Sequence, residues 1–192
     1  MIATNPLFNE QRAAQAAAYL LWRAGGSLQV VKLMKLLYLA ERLCLERYGE
    51  PLTGDNLFSL QHGPILSMTL NLISGKAKPV SDWKRWLADR KEHDVSLSDM
   101  SAIHSPADFT HLAEIDLEAL EETWNASGHM DTWELVRYTH DELPEWQDPG
   151  KSSQPISYTE ILRSAGWGEE AIKNLVERLE AQKSINRTLA AA

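Results

Sequence analysis

Residues 28–48 constrain this fold more than any other stretch of the chain. Placed at 100° steps, Lys32, Lys35, Arg42, Glu46 and Arg47 share one polar stripe. Val31, Leu33, Met34, Leu36, Leu37, Tyr38, Leu43, Cys44, Leu45 and Tyr48 cover the rest of the girth. A helix so apolar has to be enclosed by other elements. The spacing therefore predicts a mainly α, compact helical domain around a buried central helix. Glu41 breaks the pattern, because it points away from the polar stripe. A carboxylate there either finds hydrogen-bond donors or takes up a proton. Cys44, on the apolar surface, reads as a core residue and not as a nucleophile.

The 192 residues supply enough neighbours to bury such a helix without a covalent staple. Asn5-Pro6 can open a first helix, which runs through the Ala-rich Glu10 to Ala24 and stops at Gly25-Gly26. Ser27 is a candidate cap for the central helix, and Gly49-Glu50-Pro51 ends it. A brief strand is expected at Leu57 to Leu60. His62-Gly63-Pro64 then turns the chain, with Pro64 placed to start a helix over Ile65 to Ser74. Ser81 precedes a short helix bearing Trp83, Trp86 and Leu87. The alternation of Val95 and Leu97 suggests an edge strand or an ordered loop. Segments near 55–60 and 93–98 are expected to form a minor antiparallel β element.

Helices follow at Ala113 to Ser127 and at Thr132 to His140, the latter opened by the capping-box spacing of Asp131 and Glu134. Residues 143–155 read as a loop with three prolines. Ser157 and Glu160 repeat the box before a helix to Ala165, and Glu169 to Gln182 is amphipathic. The tail after Lys183 is expected to fray. The division that results is a domain over residues 1–155 with a C-terminal helical extension, 156–192, packed on it.

Charge is unevenly placed. Residues 92–148 hold fifteen acids and one base, Arg137. Such a surface repels phosphate and attracts a basic protein. The Glu169-Glu170 start of the last helix likewise argues against a DNA-reading helix-turn-helix. No nucleic-acid partner is expected. No apolar run approaches the length of a membrane span, residues 1–21 lack a basic leader, and there is a single cysteine. A cytoplasmic protein that meets no membrane is the expectation.

The six histidines show no H-x-x-x-H or Cys/His spacing, so neither a metal nor another cofactor is expected. There is no G-x-S-x-G and no P-loop. Catalysis is therefore the weak reading and binding the stronger one. Of seven tryptophans, Trp22, Trp83, Trp86, Trp124 and Trp167 read as core residues, and Trp133 fits a core helix face. Trp146, in a loop after Pro144, is either a clamp within the fold or a contact to a partner.

Three patterns in order carry a resemblance. They are Leu33-Met34-Lys35-Leu36-Leu37-Tyr38-Leu39-Ala40-Glu41, then Leu57-Phe58-Ser59-Leu60-Gln61-His62-Gly63-Pro64-Ile65, then Glu134-Leu135-Val136-Arg137-Tyr138-Thr139-His140 followed by Pro144-Glu145-Trp146. Together they resemble the Panacea-domain family of SocA-like, phage-associated antitoxins. They match its K-L-L-Y-x-A-D/E helix, its aromatic-G-P-V element and its L-x-x-x-T-H…P-x-W stretch. Leu60 stands where an aromatic residue is common and His62 where Tyr is common. The motif residues are Lys35, Leu36, Leu37, Tyr38, Glu41, His62, Gly63, Pro64, Thr139, His140 and Trp146.

The resemblance implies an antitoxin of a toxin–antitoxin system. Such a protein neutralises a toxin encoded beside it by direct binding and has no catalytic residues or cofactor. Its alternative is the adaptor role of a SocA-type member, which delivers the toxin to a cellular protease. A small-molecule or nucleotide enzyme is the distant alternative. A cognate toxin acting on RNA or nucleotides is expected to be basic, which makes Glu118, Glu121, Glu122 and Trp146 the toxin-binding candidates. Within the fold, His140 or His62 is expected to satisfy the carboxylate of Glu41.

Overall fold

The computed structural model describes residues 5–190. Helix α1 (Glu10–Arg23) opens at Asn9, whose side chain accepts from the Arg12 N–H at 3.1 Å. The residues Ala13–Leu21 are all buried, because small alanines let α1 lie close to its neighbours. After Gly26 the chain forms a short strand, β1 (Ser27–Gln29), and enters the central helix α2 (Val30–Tyr48) directly. Ser27 is thus a strand residue and not the cap; the Val30 N–H is taken by the His93 carbonyl at 2.8 Å. Gly49, at φ +65°, closes α2 in the left-handed conformation.

The β structure is small and split in two. β2 (Leu57–Leu60) pairs antiparallel with β3 (Gly63–Leu66) on one side and with β5 (Gln154–Ile156) on the other. β1 pairs with β4 (Asp94–Ser96). Strands therefore occur in both regions where the sequence suggested them, but not as partners of each other. A two-residue turn, Gln61-His62, closes β2 onto β3 at far less chain entropy than reaching the nineties would need. Pro64 lies in β3 instead of opening a helix. β3 is an edge strand, where a missing N–H need not cost a ladder bond. Helix α3 (Ser67–Ile73) begins after it, with the Met68 and Thr69 N–H groups donating to the Asp55 carboxylate at 2.8 Å each. That carboxylate, supplied from a preceding loop, does the capping.

Helix α4 (Trp83–Trp86) and an ordered stretch with two 3-10 turns lead to α5 (Glu114–Ser127) and α6 (Thr132–Asp141). The Asp131/Glu134 and Ser157/Glu160 boxes form as their spacing predicts, opening α6 and α7 (Tyr158–Ser164). Helix α8 (Glu169–Ala190) does not fray at Lys183. Asn186 donates to the Pro6 carbonyl at 2.7 Å and ties its far end to the N-terminal segment.

Helix α2 packs against α1, α5, α6, α7 and β3, so the molecule is mainly α with minor β around a buried helix. The main core extends through Ile156 and Ile161. A second cluster of Leu162, Ile172, Leu175 and Leu179 lies beneath α8. No helix among the described residues is long and apolar enough to cross a membrane.

Candidate functional site

The polar residues of α2 each reach a different element, and the motif residues gather around them. Glu41 is fully buried. Its carboxylate accepts from the Thr53 N–H and hydroxyl at 2.7 Å each and from the Gly54 N–H at 3.1 Å. The break after α2 returns the chain along the helix and presents these backbone donors. Neither His62 nor His140 serves Glu41, contrary to the sequence expectation; Thr53 and Gly54 from the adjoining loop supply its donors. Burial pushes the Glu41 carboxyl up to about 7, against the pull of the Thr53 and Gly54 bonds. Asp55, also buried, is raised by burial as well, although four donors from Asn56, Met68 and Thr69 hold it. Gly54, at φ +70°, touches the N-terminal segment so closely that a Cβ would stand 2.3 Å from the Leu7 carbonyl oxygen.

Lys35 leaves the polar stripe that the sequence assigned it and is 1% exposed. Its ammonium donates to the Pro64 carbonyl at 2.7 Å, and burial lowers its pKa to about 7. Gly63, at φ +94°, explains the tight fit. A Cβ there would stand 2.8 Å from Thr139 Oγ1 and 2.9 Å from Lys35 Cε. Lys35, Gly63, Pro64 and Thr139 therefore form one contact between α2, β3 and α6.

Tyr38 donates to Glu145 Oε1 at 3.0 Å, and the Arg42 guanidinium donates to the same oxygen at 2.8 Å. Ser164 of α7 donates to the other oxygen at 3.3 Å. Glu145 was not among the sequence candidates. Its only signal in the sequence was an acid between Pro144 and Trp146. Burial and Glu145 together push the Tyr38 hydroxyl well above its usual range.

Trp146 is a clamp within the fold: its indole N–H donates to the Leu60 carbonyl at 3.1 Å, and its ring stacks on His140 at 3.8 Å. His140 Nε2 is buried and has no partner among the described residues. Burial first, and then Lys35, lowers the His140 pKa, which favours the neutral ring.

Other candidates lie outside this cluster. His62 sits on the exposed β2–β3 turn, edge-on to Trp133 at 5.7 Å. Trp133 is 58% exposed, which corrects its reading as a core residue. The buried face of α6 is set instead by Leu135, Val136 and Thr139. The acids of α5 contact the body of the protein. Glu118 accepts from the Tyr48 hydroxyl at 3.0 Å, and Glu121 from Tyr19 while also pairing with Arg23. Glu122 receives both nitrogens of Arg47 at 2.7 and 2.8 Å.

Cys44 is buried and its thiol is raised by that burial, which keeps it protonated and unreactive. No group of three or more His, Cys, Asp or Glu among the described residues is arranged to hold a metal ion. A cavity of about 310 Å³ opens between the start of α2 and the β2–β3 turn, and a groove of about 840 Å³ runs between the N-terminal segment and α3. Most polar motif side chains find their partners inside the molecule, largely among residues outside the motif.

A family model described as antitoxin SocA-like, Panacea domain, matches residues 33–147, more than half of the chain. The match begins within α2 and ends just past Trp146, and so takes in every motif residue from Lys35 onward. No curated protein and no solved structure matches the chain.

Proposed function

The chain belongs to the SocA-like Panacea-domain family, and from that premise we propose that it neutralises a cognate toxin by binding it directly, in the cytoplasm and without catalysis. The observation that carries this reading is the family match across the whole motif set. The geometry supports it. Lys35, Tyr38, Glu41, Thr139 and Trp146 all engage partners within the molecule, as a scaffold requires and an open catalytic centre does not.

The acid excess over residues 92–148 supplies a partner preference. Glu121 and Glu122 remain partly open beside the arginines they contact, and Glu118 is exposed beside Tyr48. A basic toxin would be drawn to this surface, which competes with the nucleic acid or nucleotide the toxin acts on.

Co-expression with the product of the adjacent gene tests the proposal. Restored growth together with a stable complex on affinity purification is the expected result. Toxicity unrelieved by the chain, or rescue without a complex, overturns it. Toxin abundance separates direct neutralisation from delivery to a protease. It stays constant in the first case and falls in the second.

A further inference from the structure

We propose that the cavity between the start of α2 and the β2–β3 turn binds a small apolar carboxylate, and that Lys35 supplies the charge that recognises it. This ligand site is independent of the antitoxin reading. The cavity measures about 310 Å³, which suits a small molecule. Val31, Met34, Leu60, Ile65 and Leu70 give it mainly apolar walls. The charged residues that line it are Lys35 and Lys151, and no acid does so among the described residues. In a chain of net charge −8 that is a local reversal of sign.

Lys35 is the unusual member, because it is 1% exposed. Its ammonium carries three donors, and the Pro64 carbonyl accepts from it at 2.7 Å. That carbonyl is a dipole without net charge, and no acid among the described residues opposes the effect of burial on Lys35. A buried cation so placed gains from an anion brought beside it. The acids at the start of α6 are matched elsewhere: Asp131 and Glu134 act on Lys32, and Arg137 acts on Asp131. Lys151 is exposed at the mouth, where it attracts an anion to the entrance. Two ammonium groups with no arginine among the lining residues suit a monoanion, whereas a phosphate group is better served by a guanidinium fork. An aliphatic carboxylate meets both halves of the cavity. Its tail covers the apolar walls, and its head gives Lys35 a counter-charge.

Calorimetric titration of sodium octanoate into the purified full chain tests this, with melting temperature read alongside. Octanoate should bind and raise the melting temperature. Octylammonium, which reverses the charge, and acetate, which lacks the tail, should each bind at least about tenfold more weakly. Lys35→Met keeps the stem and removes the charge, and Val31→Trp fills the cavity; each should weaken octanoate by about tenfold or more. Lys151→Ala, on an exposed side chain, should weaken it about threefold. Lys84→Ala, also exposed but outside the cavity, should bind as wild type does. If Lys35→Met fails to fold, Val31→Trp and Lys151→Ala still decide. The proposal is overturned by a wild type that ignores millimolar octanoate, by equal binding of octylammonium, by a folded Lys35→Met with wild-type affinity, or by unchanged affinity in both Val31→Trp and Lys151→Ala. A tripeptide ending in leucine that binds more tightly than octanoate, with its C-terminal amide inert, also overturns it, because the carboxylate would then come from a chain terminus. None of these outcomes bears on toxin binding, so the antitoxin reading stands or falls by its own test.

Discussion

Glu41 and Lys35 stand on one helix, and burial moves them from opposite ends of the pH scale toward the same point. Glu41 rises from 4.5 to about 7, and Lys35 falls from 10.5 to about 7. Between pH 4.5 and about 7 the folded chain keeps a proton on Glu41 that the unfolded chain has lost, so this group's contribution to stability declines as pH rises. Between about 7 and 10.5 the unfolded chain keeps a proton on Lys35 that the folded chain has lost, so stability grows with pH. Glu41→Gln keeps one acceptor oxygen but turns an amide NH₂ toward either the Thr53 or the Gly54 N–H, and should cost ~1–3 kcal/mol near pH 4.5. Its deficit against wild type should shrink as pH approaches 7; a constant gap in thermal unfolding scans would reject the assignment. Gly63→Ala meets Thr139 and Lys35 at a positive φ and should cost ~1–3 kcal/mol, read from the denaturant midpoint.

Helix α5 shows which ion pairs hold an element in place. Arg12 pairs at 2.6 Å with Asp116, whose side chain is 2% exposed and also accepts from the Ala113 N–H. Arg47 pairs with Glu122, but both side chains are about half exposed. Asp116→Ala should therefore cost ~1.5–3 kcal/mol in chemical denaturation, whereas Glu122→Gln should cost under about 1 kcal/mol. Equal effects would show that burial does not set the balance.

The helices themselves were legible from the sequence. Their apolar period, the Asp131/Glu134 and Ser157/Glu160 boxes and the glycine stops act locally. Strand pairing was not, because β1, β4 and β5 hold three residues each and carry little pattern. Lys35 and Trp133 misled for one reason: periodicity assigns a face but does not say which neighbour covers it. Lys35 is covered by the β2–β3 hairpin, and Trp133 lies outside the face of α6 that Leu135, Val136 and Thr139 bury. Glu41 was legible as a buried carboxylate, while its partners depended on the path of the loop after α2.

At the scale of the whole molecule, net charge is −8, and the acid excess lies in the segment that carries α5 and α6. Long-range attraction acts on encounter, whereas a desolvated apolar contact acts on residence. Screening the acid excess should therefore act on encounter and leave dissociation nearly unchanged. Raising salt should slow association with a basic toxin by about tenfold or more and change dissociation little. Reversing Glu118, Glu121 and Glu122 together should slow association, and should also lower the melting temperature because each of these acids holds a partner on α1 or α2. Stopped-flow association at low and high salt, with dissociation by displacement, measures both rates. If salt changes dissociation as much as association, the acidic surface does more than steer the encounter, since screening of long-range attraction acts before the complex forms.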